Sequence, residues 1–262
     1  MPRFAANLTT LFTEFPMQER VLAAAEAGFQ AVEIQYPYDT PAQDIRNALG
    51  LANMPLVLIN APPPNYTGGT PGFAATPGGQ ERFRHDFRRA LRYAQALKSQ
   101  HIHVMSGAAF GDRALETMVD NLQWACAFAP EQSLTIEPMN AHDLPGYFMC
   151  DFELAAQVIG AVDAANLGLQ FDTYHAHVIT GNILETWDKY GHLCHHVQIA
   201  GAPAQDEPDH DPIDFHGLFA RLDAAGYEGW VGADYRPRGR TQDGLGWLEE
   251  GKAGHDAFKK PA

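Results

Sequence analysis

Four side chains with metal-capable oxygens recur at regular intervals in the second half of the chain: Glu137 in "TIEPMN", Asp172 in "QFDTYH", Gln198 in "HVQIAG" and Asp234 in "GADYRP". They stand 35, 26 and 36 residues apart, each among apolar neighbours in a strand-like run. A lone buried carboxylate is unfavourable, because losing its water penalises the charge and drives its pKa up until it neutralises. For any one of the four, a helix cap or a buried hydrogen bond is explanation enough. Three carboxylates converging on one point, however, repel unless a cation or a proton separates them. Three carboxylates and an amide oxygen form a hard, all-oxygen set. That set suits Mg2+ or Mn2+ in roughly octahedral geometry, whereas zinc usually recruits His or Cys.

Such residues can act together only if the fold brings them together. Short β-rich runs occur at 3–8, 31–36, 56–61, 101–106, 134–139, 167–172, 195–200 and 230–235. Between them lie segments with apolar residues at helical spacing, at 16–29, 81–99, 115–129, 151–162 and 214–227. Gly28 and Gly226 follow Ala-rich last turns, and Asp151 precedes Phe152 as an N-cap. Eight strand–helix units of about 31 residues each predict an α/β fold, a single-domain (β/α)8 TIM barrel. The barrel spans residues 1–250, with a polar tail at 251–262. An open doubly wound sheet would carry a Gly-rich phosphate turn after its first strand, and "AANLTTLFTEF" has none. In a barrel the C-terminal strand ends share one mouth, so the interval between the four oxygens becomes proximity. Two long loops, 62–79 and 201–212, leave the same mouth as rims or lids.

Other residues face that mouth. His175 stands three positions after Asp172, placed to touch substrate or metal, with a supporting hydrogen bond as the alternative. Arg236 follows the last strand, where barrels hold anions, and is a candidate for a substrate carboxylate. A surface ion pair is the competing role. Asn7, Glu33, Tyr36 and Asn60 lie near the ends of the first three strands and are candidates for the pocket wall. His101, His103, His195 and His196 read as satisfied core or rim residues, and His210 in "DEPDHDP" as part of a charged rim.

The chain has 262 residues, with 18 Lys and Arg against 32 Asp and Glu, a net charge of −14. That balance opposes nucleic-acid and anionic-membrane surfaces and fits a small-molecule partner, with a homo-oligomer left open. Cys126, Cys150 and Cys194 follow no pairing or metal motif and read as reduced thiols. No apolar run reaches the roughly 20 residues that span a bilayer, and "MPRFAANL" lacks a signal-peptide core, so the expected location is cytoplasmic. No nucleotide motif calls for an organic cofactor.

The stretches "MPRFAANL", "IEPMNAHDLPGYF", "LQFDTYHAHVITGNI", "HVQIAGAP" and "GYEGWVGADYRPRGRTQDGLGW" together resemble the hydroxypyruvate isomerase family, within the xylose-isomerase-like barrels. The resemblance runs from the first strand to about Trp247. It implies a divalent-metal-dependent isomerase of small hydroxy-keto acids, such as 2-oxo-tetronate or hydroxypyruvate. It places the metal ligands on Glu137, Asp172, Gln198 and Asp234 and the acid/base pair on Glu137 and Asp234. One departure stands out: where the family has glutamate, this chain has Asp234, shorter by one methylene. The loop "SGAAFGDRALE" is also shorter than usual. Three rival readings share some of these features: a ketose 3-epimerase, an apurinic endonuclease and a non-catalytic sugar-acid binder.

Overall fold

A computed structural model of the chain describes residues 2–62, 71–209 and 212–248. The centre of the 62–79 loop, His210 and the 251–262 tail lie outside the described residues. Eight parallel strands are linked by helices in the order β1 (Arg3–Asn7), α1 (Met17–Glu26), β2 (Ala31–Glu33), α2 (Ala42–Ala52), β3 (Leu58–Ala61), α3 (Gln80–Leu97) and β4 (His101–Val104). The chain continues through α4 (Asp112–Phe128), β5 (Ser133–Ile136), α5 (Phe152–Val162) and β6 (Leu167–Asp172). It ends with α6 (Thr173–Thr180), α7 (Ile183–Tyr190), β7 (Cys194–Ile199), α8 (Phe215–Ala224) and β8 (Trp230–Ala233).

The sheet runs β2-β1-β8-β7-β6-β5-β4-β3. Its remaining seam, between β2 and β3, is joined by backbone bonds from Val57 N–H to the Val32 carbonyl at 2.8 Å and from Ile34 N–H to the Leu58 carbonyl at 3.0 Å. The result is a nearly closed (β/α)8 barrel, as the alternation of runs predicts. Six strands end one to three residues before the runs that announce them, where the chain turns outward into the mouth; β6 matches its run, and β3 begins two residues late.

Most of the core lies between strands and helices. Phe4 on β1 meets the Phe219 ring edge-on at 5.8 Å and Trp247 at 5.3 Å, so the end of the described chain closes onto the first strand. Such aromatic pairs contribute about 0.5–1.5 kcal/mol beyond their buried area. A small separate cluster, Ala5, Ala31, Val57 and Leu58 with Trp230, sits toward the N-terminal strand ends. Above it the lumen is polar. Asp151 caps α5 as expected, its Oδ1 accepting the Leu154 N–H at 2.7 Å.

Three helices fall outside the segments predicted from helical spacing: α2, α6 and α7. The first contains Gly50, and Gly181 and Asn182 divide the stretch after β6 into two helices of 8 residues each. Segments that short show only two turns of periodicity. At the mouth, Gly72 and Gly107 let the loops after β3 and β4 cross backbone to backbone. Both have positive φ, +104° and +82°, and a Cβ on either would overlap the other loop's backbone. Further bridging of Ala108 to Tyr147 joins the loop after β5 to this rim.

Candidate active site

Strand alternation decides which side chains enter the lumen. Residues two apart share a face, so Thr135 aligns with Glu137, Gln170 with Asp172, and His196 with Gln198. Asp172 and Gln198 are register partners on adjacent β6 and β7. All of these side chains are buried.

At the top of this stack, Glu137, Asp172 and His175 each offer one ligand atom within 4.8 Å of the others. Asp172 serves two purposes. One oxygen accepts the His175 N–H at 2.8 Å and caps α6. Its Oδ2 is buried with no hydrogen-bond partner among the described residues. An acceptor of that kind beside a second carboxylate is a position a divalent cation fits. Burial, then the charges of Asp172, Asp234 and Glu33, hold the Glu137 carboxyl well above the usual range. Burial pushes Asp172 up to about 7, against the pull of the His175 and Tyr174 backbone N–H groups. Crowding without a counter-charge therefore favours protons, and a bound cation would remove that need.

Gln198 joins the set through a neighbour. Gln170 Nε2 donates to Glu137 Oε2 at 3.0 Å and to Gln198 Oε1 at 2.7 Å, while Gln170 Oε1 accepts from Thr135. Below, Glu33 accepts from Gln198 Nε2 and pairs with His196 Nε2, both at 2.6 Å. Gln198 therefore has a fixed orientation, with its nitrogen toward Glu33 and its oxygen toward Gln170. Gly232 on β8 makes room for Glu33, since a Cβ there would overlap its carboxylate.

The tautomer of His175 is also constrained. Its Nδ1 accepts the Asn140 backbone N–H at 3.1 Å. Burial lowers its pKa to about 4, so the ring is neutral near pH 7. A neutral ring that accepts at Nδ1 carries its proton on Nε2, the atom 4.0 Å from Glu137 Oε1. In that form His175 presents its N–H toward the Glu137 side of the mouth. His103, its pKa lowered to about 3 by burial first and His175 next, lies 3.6 Å from Glu137 Oε2.

Asp234 stands apart from the group of three. Its oxygens accept from Asn7 Nδ2 and from Gln35 Nε2, each at 2.9 Å. Burial and the charges of Asp172 and Glu33 raise its pKa well above the ordinary value, and Arg236 opposes them. Arg236 is exposed, and no ion pair of its side chain occurs among the described residues. Arg238, by contrast, pairs with Glu207 at 2.8 Å and ties the last loop to the one after β7. Asn60 and Tyr36 converge on Met105: the Tyr36 hydroxyl donates to its sulfur at 3.2 Å, and Asn60 Nδ2 lies 3.9 Å from it. The Asn60 Oδ1 is buried and unpartnered among the described residues.

Sequence reasoning missed Gln35 and Gln170 and placed Glu33 in the wall instead of beneath the site. The signal was present in the alternation: Glu33 and Gln35, Gln170 and Asp172, and His196 and Gln198 are polar pairs two residues apart in apolar runs.

A parallel eight-stranded barrel with carboxylates gathered at its C-terminal mouth is an enzyme architecture. The xylose isomerase-like TIM barrel profile matches residues 21–251, and the chain belongs to that family. It is 40% identical to the 2-oxo-tetronate isomerase of Cupriavidus necator, over 95% of this chain and 98% of that protein. It is 34% identical to the hydroxypyruvate isomerase of Escherichia coli, over 95% of this chain and 99% of that one. A crystal structure described as AP endonuclease, family 2, from Brucella melitensis superposes with a TM-score of 0.91 at 40% identity, covering 95% of this chain and 98% of that one. Epimerase structures sharing 20% identity or less show the fold alone. With isomerase relatives matching along nearly its whole length, the chain is an enzyme of the isomerase class.

Proposed function

We propose that the protein is a divalent-cation-dependent isomerase of small hydroxy-keto acids, of the 2-oxo-tetronate or hydroxypyruvate type. The observation that carries this reading is the buried cluster of Glu137, Asp172 and His175, in which Asp172 Oδ2 has no hydrogen-bond partner among the described residues. Glu137 and Asp172, with Gln198 beside them, would hold Mg2+ or Mn2+; the resemblance adds Asp234 to that set. When bound, such an ion polarises the substrate carbonyl and neighbouring hydroxyl.

The chain's own groups do the rest. A carboxylate of the Glu137–Asp234 pair takes the proton from the hydroxyl-bearing carbon. The C–H electron pair becomes the C=C bond of an enediol, and the carbonyl π pair moves onto its oxygen. The carbonyl oxygen takes a proton from the other carboxyl of the pair, and the neighbouring hydroxyl gives its proton back to that carboxylate as its oxygen becomes the new carbonyl. The C=C pair takes the first proton at the former carbonyl carbon, so oxidation state passes between neighbouring carbons with no external oxidant. His175 Nε2–H is aimed to donate to a substrate oxygen. Asn60 Oδ1, buried and without a partner among the described residues, accepts a substrate hydroxyl beside Tyr36. The occupant is a small molecule, because a chain of net charge −14 is opposed to the phosphate attraction on which nucleic-acid binding rests. Among the described residues, no helix is long and apolar enough to cross a membrane.

The test is turnover of a panel of three- and four-carbon keto acids with Mg2+ or Mn2+, followed by carbon NMR. Migration of the carbonyl to the adjacent carbon is the expected result. Inversion at a carbon with the carbonyl unmoved would make the enzyme an epimerase, and no turnover of any acid would reject the reading.

Arg236 binds the substrate carboxylate in this scheme. Arg236→Gln is expected to raise KM about tenfold or more, the scale of a lost charged hydrogen bond, with kcat little changed. A KM within twofold of wild type would return Arg236 to the solvated rim.

A further inference from the structure

Among the described residues, Asp234 is the one member of the expected ligand set whose two carboxylate oxygens are both taken by side chains, from the adjacent strand β1 and from just past β2, on the side away from β5 and β6. Asn7 Nδ2 donates to Oδ1, and Gln35 Nε2 donates to Oδ2. The Asn7 amide is oriented by its other end, and Gln35 is held at its backbone. Asn7 Oδ1 accepts the Thr9 N–H at 3.0 Å, which directs its nitrogen to Asp234. Gln35 is anchored by its backbone on both sides: its N–H donates to Thr9 Oγ1 at 2.9 Å, and its carbonyl accepts the Asn60 N–H at 2.8 Å. The Asp234 backbone is held in turn by its N–H bond to the Ile199 carbonyl at 3.1 Å. Among the described residues, Asp172 Oδ2 has no hydrogen-bond partner, whereas each Asp234 oxygen has one. Asp234 still opens on the same mouth, its backbone paired with the strand that carries Gln198.

We propose that the Asn7–Gln35 amide pair holds Asp234 away from the cation as the group that handles the carbon-bound proton, with Gln35 as its positioning residue. This rests on the isomerase reading. Each Asp234 oxygen keeps lone-pair capacity beyond its one amide bond, enough to accept a proton from substrate carbon. The C–H bond breaks as the O–H bond of Asp234 forms, and its electron pair enters the enediol. The reverse transfer, to the adjacent carbon, restores the carboxylate. The missing methylene of Asp234 is thus a retraction from the ion, and Gln35, reaching in from the end of β2, fixes the retracted carboxylate.

Two measurements separate this from its alternatives. Mn2+ binding, read by titration calorimetry without substrate, should weaken by about a hundredfold in Asp172→Asn, the upper range for loss of a metal-site partner. It should stay within about threefold of wild type in Asp234→Asn and Gln35→Leu, below that range. Solvent-deuterium incorporation into the keto acid and kcat should fall together in Gln35→Leu by about 10–100-fold, the effect of a misplaced reacting group, with little change in KM. Gln35→Met, of similar length, serves if the leucine variant does not fold. Mn2+ affinity lost by tenfold or more in Asp234→Asn would make Asp234 a ligand and overturn the proposal, as would an undiminished kcat in both Gln35 variants. If the wild type turns over no keto acid, the isomerase reading fails, while the Mn2+ titrations still decide whether Asp234 is held off the ion.

Discussion

Glu137→Gln is expected to lower kcat by about a thousandfold or more, within the range general acid–base groups supply, and to raise the melting temperature of the metal-free protein. The first effect follows from the position of Glu137, buried at the centre of the cluster, beside Asp172 and His175. A glutamine there keeps the shape and accepts from Gln170 as the carboxylate does. It cannot take a proton, and it is a weaker cation ligand.

The second effect has the opposite sign because the fold is penalised for ionising this group. Burial, Asp172, Asp234 and Glu33 all raise its pKa. A group raised in the folded state stabilises most below its unfolded pKa and loses that contribution as pH rises through the folded one. At neutral pH a neutral amide avoids the penalty, and each 1 kcal/mol recovered moves Tm by about 2–4 °C in a chain of this size. Calorimetry without metal and steady-state kinetics with Mn2+ check the pair of outcomes. A variant that loses activity and stability together would make Glu137 a structural residue; one within tenfold of wild-type kcat would remove it from the chemistry.

The opposed effects also account for what could be read in the sequence. A carboxylate that the fold would be more stable without is conspicuous in an apolar run. Glu137, Asp172 and Asp234 stood out for that reason, and the interval between them was itself evidence for a barrel. Gln35 and Gln170 did not stand out. Neither carries a charge to explain, and neither falls at the interval that singled out Gln198; their roles lie in the partners that the closed barrel brings from strands distant in sequence. Glu33 was visible but misplaced: its neighbours His196, Gln198 and Gly232 come from two strands at the far end of the chain. The same limit applies to His175, whose tautomer depends on one backbone N–H, that of Asn140. Among the helices, α6 was hidden by its own cap. Asp172 ends β6 and starts α6 with one side chain, and the sequence shows no linker between them.

Chelation is expected to reduce turnover to background and added Mn2+ or Mg2+ to restore it, with an accompanying gain in thermal stability that grows with pH. Ligand binding to the native state at 100 times its Kd adds about 2.7 kcal/mol, or roughly 5–10 °C in Tm at this chain length. The pH dependence comes from Asp172. Its carboxyl, pushed up to about 7 by burial, must lose its proton to ligate an ion. The metal-free protein therefore loses this site's share of stability as pH rises from about 4, the unfolded value, through about 7. The ion recovers that loss by binding the deprotonated form. Between pH 5 and pH 8 the Tm gain at fixed free Mn2+ should widen, and in Asp172→Asn both the gain and its pH dependence should collapse. Thermal melts across that range, with and without Mn2+, provide the comparison. A gain that is flat with pH in the wild type, or that survives in Asp172→Asn, would move the cation away from Asp172. Full activity in the chelated enzyme would leave the carboxylates to act without an ion, their repulsion relieved by a shared proton alone.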